Sequence, residues 1–281
     1  MSRASAISLR RLSTTDELEA AVALQQEVWG EQFSDVVPAA VLQVVQYVGG
    51  VAAGAFTDAG ELAGIVFGVS GIRDGRLSHW SDTLAVRQQY RDLGIGEKLK
   101  RFQRDLLLPL GVERVYWTFD PLESRNAYLN FNRLGATASE YRREFYCATG
   151  STLHEHIGTD RLVAVWEIGA PRVAALLEGT SPRPALTDDA LRGIPIVNDA
   201  SDSAAGPVCA EADLELDAPC VRVAIPADIQ SLKARSPQRA REWRRITRSA
   251  IEGYFARGYE ACALARRGDV SEYLLQRRSA S

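Results

Sequence analysis

The sequence predicts an α/β or α+β protein built around one mixed β-sheet flanked by helices. Segments with strand-like alternation interleave with segments of helical periodicity, in the order β-α-α-β-β-β-α-β-α-β-β over residues 1–169. Apolar residues make up 46% of the 281 residues, so a chain of this length can bury a large core. Turn signals such as Asp74-Gly75 separate the strands.

Each element follows from its own pattern. We expect strands at 7–12, 51–57, 62–72, 76–86, 113–119, 136–147 and 161–168. We expect helices up to Trp29 and over 38–48, 95–109 and 124–134. Thr14 or Thr15 can cap the first helix, Pro38 suits the first turn of the second, and Gly135 suits the end of the last.

The amino-acid composition changes after residue 169. Seven of the eleven prolines fall between Pro171 and Pro226, which predicts a linker over 170–219 with a short helix at 171–178. A β-α-β-β unit then occupies 220–281, with strands at 220–226, 259–265 and 270–276 and a helix at 236–257. One helix and three strands bury too little apolar area to fold alone. We therefore expect this unit to pack on domain 1–169 or on a second subunit.

Composition excludes several classes of protein. The net charge of −3 provides no general attraction for nucleic acid or acidic lipid. The four cysteines form no C-x-x-C pair, and His154 and His156 have no evident third ligand, so we expect neither a disulfide framework nor a metal site. The N-terminus lacks the apolar run of a signal peptide, and no stretch of 18 apolar residues occurs. We expect a cytoplasmic protein with no membrane or nucleic-acid partner.

The most informative stretch runs from Leu84 to Glu97. The strand ending in Leu84-Ala85-Val86 is followed by Arg91-Asp92-Leu93-Gly94-Ile95-Gly96-Glu97, where a helix begins. Glycines lack the Cβ that would keep an anion from backbone N–H groups, and a helix start offers unpaired amides and a positive dipole end. The pattern predicts a pyrophosphate cradle. A plain helix start with two glycines is the alternative reading, and neither the P-loop nor the dinucleotide fingerprint matches.

These residues and their order resemble the GNAT superfamily of acyl-CoA-dependent N-acyltransferases. Arg91 to Gly96 match its R-x-x-G-x-G motif, which in that family cradles the CoA pyrophosphate. The resemblance implies a strand that separates from its neighbour at a bulge, with Leu84, Ala85 and Val86 beside the acyl group. It also implies that Asn126 contacts the cofactor arm. The GNAT-like pattern covers about 1–147.

A narrower resemblance extends over nearly the whole chain. The segment Trp117-Thr118-Phe119-Asp120-Pro121-Leu122, followed by Ser124-Arg125-Asn126-Ala127, is similar to a bacterial GNAT subgroup that carries a C-terminal extension. Asp160-Arg161-Leu162 and Glu242-Trp243-Arg244 also resemble that subgroup. Some of its members act on amino acids, including with succinyl-CoA. An amino-acid acceptor is what this resemblance implies.

The chain departs from the family at the residue that protonates the leaving thiolate. Many GNAT enzymes have a tyrosine four residues before the glycine that ends the last helix, and this position is Phe131. Tyr128 is a substitute, with a core tyrosine as the alternative. Asn130 could donate a hydrogen bond to the sulfur without acting as an acid. The CoA thiol is itself acidic enough that an explicit acid is dispensable.

A general base must take a proton from the attacking amine. Asp82 and His79 precede the loop on the same strand and are the candidates, although in a regular strand they face opposite sides. Asp82 shares its side with Leu84 and Val86. Trp80 lies on that face and could line the substrate pocket. A surface carboxylate, a surface histidine and a core tryptophan are the respective alternatives.

Two arginine features remain. Arg161 could pair with a substrate carboxylate, and a structural role in its loop is the alternative. Helix 236–257 is rich in arginine and has an apolar face that includes Trp243, Ile246 and Tyr254. We interpret this face as a packing surface, and the arginines as a solvated face or a subunit contact.

The sequence therefore predicts an enzyme, an acyl-CoA-dependent N-acyltransferase. It would move an acetyl or succinyl group from acyl-CoA to a primary amine on a small molecule, an amino acid among the candidates, by direct attack. No cysteine occupies a nucleophile position. A catalytically lapsed acyl-CoA sensor or scaffold is the alternative, and a homodimer is left open.

Overall fold

The computed structural model describes residues 7–147, 157–181, 186–201, 203 and 206–278. The chain forms two compact units. Among the described residues, the first unit comprises 7–117 and Glu167–Gly169. The second comprises 118–147, 157–166 and the residues from Ala170 onward.

The first unit contains five strands in the order β1-β2-β3-β4-β5. They are β1 (Ile7–Arg11), β2 (Val51–Thr57), β3 (Leu62–Arg73), β4 (Arg76–Val86) and β5 (Arg114–Phe119), whose last two residues belong to the second unit. Neighbouring strands are antiparallel, except that β4 and β5 are parallel. Three helices accompany them: α1 (Thr15–Trp29), α2 (Ala39–Tyr47) and α3 (Ile95–Leu107).

Local chemistry explains where α1 begins. The Glu17 amide donates to Thr14 Oγ1 over 3.3 Å, and the Thr14 amide donates back to the Glu17 carboxylate over 3.3 Å. This reciprocal capping box identifies Thr14 as the cap. Leu18, Ala21 and Leu24 recur every third residue, so they share one face of α1 and join the core of the first unit.

The hairpin between β3 and β4 confirms the strongest turn signal. Asp74 and Gly75 both have positive φ, 52° and 73°, as a tight hairpin turn with the right twist requires. β4 has the bounds expected for it. The turn thereby sets the register of the strand that leads into the Gly94 loop.

The second unit has its own sheet. Its strands are β6 (Thr137–Arg142), β7 (Arg161–Glu167), β10 (Cys220–Pro226), β11 (Tyr259–Arg267) and β12 (Val270–Arg277), in the order β7-β6-β11-β12-β10 and all antiparallel. β8 (Ala200–Ser201) and β9 (Val208–Cys209) form a separate pair. The helices are α4 (Ser124–Tyr128), α5 (Pro171–Glu178), α6 (Asp188–Leu191), α7 (Ile229–Arg235) and α8 (Pro237–Ala256). The expected α/β fold, with a mixed sheet flanked by helices, is confirmed, and the structure shows that most of the strands are antiparallel.

The structure divides the chain differently from the expected boundaries at 169 and 219. β6 pairs with β11 through Ala138 and Ala261, so the C-terminal strands continue a sheet that begins before residue 169. The expected linker carries helices and packs closely on this unit. The Asn198 side chain exchanges two hydrogen bonds with the Ala224 backbone, and the Trp243 indole N–H donates to the Pro207 carbonyl.

Other differences are local. The strand expected over 136–147 ends at Arg142. The helix expected over 124–134 is α-helical only to Tyr128 and widens into a π turn over Leu129–Arg133. The four cysteines are free thiols. No helix in the described part of the chain is long and apolar enough to cross a bilayer.

Candidate functional site

β4 and β5 run side by side only at their beginning. Their parallel pairing joins Ser78–Trp80 to Arg114–Tyr116 and ends there. Immediately afterwards β4 carries one extra residue opposite β3, Asp82, which is a β-bulge. A bulge bends a strand and re-aims its side chains. In the described chain, β4 therefore continues past the bulge without a β5 partner, over the segment that contains Leu84, Ala85 and Val86.

The turn after β4 has the backbone of an anion cradle. Gly94 caps α3 with φ 71° and ψ 14°, a left-handed conformation that glycine adopts without strain, and Asp92 is also left-handed with φ 67°. No atom lies within 4 Å of the place where a Cβ on Gly94 would stand. The first amides of a helix have no carbonyl within the helix to bond. Those of Ile95 and Gly96 therefore lie at the start of α3, beside the open space at Gly94.

The residues of this loop divide between anchors and exposed groups. Ile95 is 1% exposed and Glu97 is 9% exposed, so these two hold the start of α3 against the first unit. The remaining side chains before them, Arg91, Asp92 and Leu93, are exposed. The loop thus presents backbone and one guanidinium to solvent.

Glu61 restrains the approach to the loop, and sequence reasoning missed it. Its carboxylate accepts hydrogen bonds from Tyr90 Oη at 2.6 Å, from Arg87 at 2.8 Å and from Gln89 at 3.2 Å. The Tyr90 hydrogen bond, with help from Arg87, holds the pKa of Glu61 below its usual value. Three donors converge on one carboxylate from the turn that joins β4 to the loop, and they limit its movement.

Asp82 is the bulged residue of β4 and is exposed. Desolvation by the surrounding protein raises the pKa of its carboxyl, and the charge of Asp35 adds to this effect. Hydrogen bonds from Thr83, at 3.1 Å, and from Trp80 oppose the rise. A carboxylate with a raised pKa is a better proton acceptor than an ordinary aspartate. Asp35 carries no sequence signal, because it lies 47 positions before Asp82.

His79 does not suit the role of general base. It is completely buried, with Nδ1 3.0 Å from Ser70 Oγ and Nε2 3.1 Å from Gln103 Nε2. Desolvation, and then the nearby charge of Lys100, lower the pKa of the imidazole to about 3. Both ring nitrogens are engaged and the ring stays neutral, so we do not retain His79 as the base.

Trp80 lies on β4, two residues before Asp82. It is half-buried, pairs across the sheet with Val69 and Tyr116, and hydrogen-bonds Asp82. It contacts the base candidate directly. Whether it also lines a substrate pocket stays a prediction.

Lys100 is a second residue that sequence reasoning missed. It lies on α3, is 2% exposed, and its Nζ donates to Ser81 Oγ over 2.7 Å. The ammonium lies 3.9 Å from the centre of the Trp117 ring. Burial lowers its pKa to about 7. A lysine on an amphipathic helix normally indicates a solvated position, which is why the pattern gave no signal.

The π turn after α4 contains position 131, where a tyrosine acid would be expected, and Tyr128 directly precedes the turn. Asn126 is exposed, whereas Asn130 is only 4% exposed. Tyr128 is half-buried beneath the Arg266 guanidinium, which lies 4.2 Å from its ring centre. Phe131 is 2% exposed and packs edge-on against Phe119 and Tyr273. A proton donor is thus absent at 131, and cofactor contacts by Asn126 and Asn130 stay predictions.

Arg161 is buried at the start of β7. Its Nη1 donates to the Asp160 carbonyl over 2.8 Å and lies 3.9 Å from Asp120 Oδ2. Asp120 Oδ1 accepts a hydrogen bond from the Leu122 amide over 2.8 Å, and the carboxylate forms a buried ion pair with Arg244 at 2.5 Å. These contacts fit a structural role for Arg161, and its contact with a substrate carboxylate stays a prediction.

His154 and His156, for which the sequence predicts no metal site, lie outside the described residues. Over the ranges that the structure does describe, no group of three or more histidine, cysteine, aspartate or glutamate side chains is arranged to hold a metal ion.

No protein-family model matches this chain, and no curated protein matches it. Solved structures do match. One is the NatC complex bound to Gag peptide and CoA, at 14% identity over 57% of this chain and 98% of that chain, with a TM-score of 0.47. Another is a GNAT-family acetyltransferase from Streptococcus pneumoniae, at 16% identity over 58% and 100%, with a TM-score of 0.47. A third is nourseothricin acetyltransferase, at 17% identity over 58% and 98%, with a TM-score of 0.43. Each similarity extends over somewhat more than half of this chain.

Proposed function

We propose that this chain is an acyl-CoA-dependent N-acyltransferase. The observation that carries the proposal is the loop from Arg91 to Gly96. It opens α3 with a left-handed glycine and unpaired amides, directly after a strand that leaves its neighbour at a bulge. Such a loop holds a pyrophosphate through backbone N–H groups and the helix dipole. The unpaired part of β4 provides backbone groups for the pantetheine arm and thioester.

The chemistry requires few side chains. The acceptor amine attacks the thioester carbonyl carbon, the C–S bond breaks with its electron pair on sulfur, and the amine nitrogen loses a proton. Asp82 at the bulge is the proton acceptor that we assign, since its raised pKa matches that task. Backbone amides of β4 supply hydrogen bonds to the developing oxyanion.

The acyl group and the acceptor belong to this proposal as well. The acyl group is acetyl or succinyl, and the acceptor is a primary amine on a small molecule, an amino acid being the candidate. A carboxylate on the acceptor would pair with a guanidinium, and Arg161 is the residue that the sequence assigns to it.

A second candidate is an acyl-CoA-binding sensor or scaffold without catalytic activity. The observation that favours it is Phe131, which is buried among aromatic rings and cannot give a proton to a leaving thiolate. This protein would bind acyl-CoA through the same Gly94 loop and would release no CoA.

One experiment separates the two. The full chain is incubated with acetyl-CoA or succinyl-CoA and a panel of primary amines, and free CoA thiol and acylated amine are both measured. Amine-dependent CoA release that Asp82→Asn suppresses supports the enzyme. Tight acyl-CoA binding without amine-dependent release would assign the sensor, and no binding of either thioester would contradict both.

A further inference from the structure

Lys100 places an amine, a group that is normally charged and solvated, inside the first unit. Its side chain is buried, and its hydrogen-bond partners are neutral: Ser81 Oγ at 2.7 Å and Gln103 Oε1 at 3.5 Å. In the described chain no carboxylate lies within ion-pair distance of its Nζ. Burying an ammonium without a counter-charge is costly, and the protein bears this cost in a well-packed unit.

The partners of Lys100 form a chain of hydrogen bonds with one direction. Lys100 donates to Gln103 Oε1, and the Gln103 amide N–H faces His79 Nε2 at 3.1 Å. His79 Nδ1–H then donates to Ser70 Oγ, at 3.0 Å, and Ser70 donates to the Gly49 carbonyl over 2.7 Å. This order makes His79 a neutral acceptor toward Gln103. Lys100 acts as a donor to Ser81 and to Gln103, and an ammonium has a third N–H left for a further acceptor.

Lys100 also lies where the two parallel strands separate. Ser81 is the first β4 residue after the last pair with β5, and Trp117 is the first β5 residue after that pair. Lys100 Nζ contacts both, one by a hydrogen bond and the other at 3.9 Å from the ring centre. The Lys100 amine therefore lies beside the point where the pairing of β4 and β5 ends, and its partner Ser81 directly precedes the bulge at Asp82.

We propose that Lys100 is the group that neutralises the thiolate of CoA when the acyl group leaves. This inference rests on the proposed function, which places the thioester along the unpaired part of β4. In this role Lys100 has an anionic partner, the CoA thiolate, which forms during the reaction. Lys100 would thereby supply the proton that Phe131, at the position of the usual tyrosine, cannot give.

The protons balance without another reactant. The attacking amine forms a bond to the carbonyl carbon, the C–S bond breaks, and sulfur keeps the electron pair. The amide nitrogen gives one proton to Asp82, and the Lys100 ammonium gives one proton to the thiolate. Asp82 releases its proton to solvent and Lys100 regains one from solvent before the next cycle. Among the described residues, His79 is the titratable group whose pKa the Lys100 charge affects, and its ring stays neutral.

The test measures the bound thiol itself rather than turnover. CoA is titrated with base while bound to the full chain, and thiolate is followed by ultraviolet absorbance. A cation within about 4–6 Å lowers the pKa of an acid by about 1–3 pH units. We expect that shift in the wild type and its loss in Lys100→Met. Lys98→Met is the matched control, since it removes an exposed lysine from the same helix and should leave the thiol pKa low.

Two further variants keep the result interpretable. Lys100→Arg retains the charge and should retain a low thiol pKa. Lys100→Gln retains a donor to Ser81 without the charge, so it replaces Lys100→Met if that variant fails to fold, as judged by its melting temperature.

Desulfo-CoA, which lacks the thiol, provides a second measure. Above the bound thiol pKa, wild type should prefer CoA to desulfo-CoA about tenfold or more, and Lys100→Met should lose the preference.

Three outcomes would overturn the inference. The same bound thiol pKa in wild type and Lys100→Met would show that the ammonium does not face sulfur. A selective loss of succinyl-CoA affinity in Lys100→Met, with thiol behaviour unchanged, would assign Lys100 to the acyl chain. The third outcome, failure of wild type to bind CoA at all, would contradict the proposed function itself, and it would be seen before any variant is compared.

Discussion

Replacing Gly94 by alanine tests the pyrophosphate cradle and separates binding from folding. Gly94 has φ 71° and ψ 14°, and the place of a Cβ is open, so alanine meets no atom there. The cost to folding is then the left-handed backbone alone, about 1–2 kcal/mol. Gly111 has φ 79° and ψ 16° with the same open space, which makes Gly111→Ala the matched control for this strain.

The two variants should lose equal stability and differ in binding. A methyl group at Gly94 occupies the space where a phosphate would approach the first amides of α3. Losing one hydrogen bond to a charged group costs about 1.5–3 kcal/mol, so the Kd for CoA should rise about ten- to hundredfold. Gly111→Ala should leave that Kd unchanged. Calorimetric titration at fixed salt gives the Kd, and denaturant unfolding gives the stability.

Gly96→Ala completes the series. Gly96 is half-buried within the first turn of α3, where its amide would meet a phosphate. We expect this variant to bind CoA more weakly than wild type, and denaturant unfolding records its stability beside that of Gly94→Ala. Wild-type affinity in both Gly94→Ala and Gly96→Ala would refute the assignment of this loop as the cradle.

Three further predictions concern Asp82, His79 and Arg244. Asp82→Asn should lower kcat about a hundredfold or more with CoA affinity intact. In wild type the rate should fall on acidification at a pH above the usual aspartate range, and the variant should lack this fall. An unchanged pH–rate profile in the variant would exclude Asp82 as the base. The folded pKa of His79, about 3, lies below its unfolded value near 6.5, so folding loses stability as pH falls below about 6.5. Its ring NMR signals should stay fixed between about pH 8 and 5, and movement near pH 6.5 would show a solvated ring. Arg244→Met removes the close ion pair of the buried Asp120 carboxylate and leaves it only the 3.9 Å contact with Arg161, so it should cost about 3–5 kcal/mol of unfolding free energy. Arg245→Met, in an exposed pair, should leave the unfolding free energy nearly unchanged, and equal denaturation midpoints for the two variants would contradict this.

Elements that depend on neighbouring residues could be predicted from the sequence. Thr14 and Glu17 form their capping box within four residues, and Asp74-Gly75 forms its hairpin turn by its own backbone preference. β4, α5 and β10 have the expected bounds for the same reason. The Gly94 loop belongs to this group, because glycine at a helix start and a preceding strand are both local signals.

The tertiary structure alone decided the surroundings of the reactive groups. The bulge at Asp82 reflects how β4 pairs with β3, and the burial of His79 reflects how α3 covers the sheet. Lys100 contacts Ser81, 19 residues away, and Arg244 contacts Asp120, 124 residues away. Charge, desolvation and pKa depend on such distant neighbours, which periodicity and composition do not encode. For this reason the sequence by itself identified the loop that would hold an anion, and only the fold distinguished Asp82 from His79 and revealed the buried ammonium of Lys100.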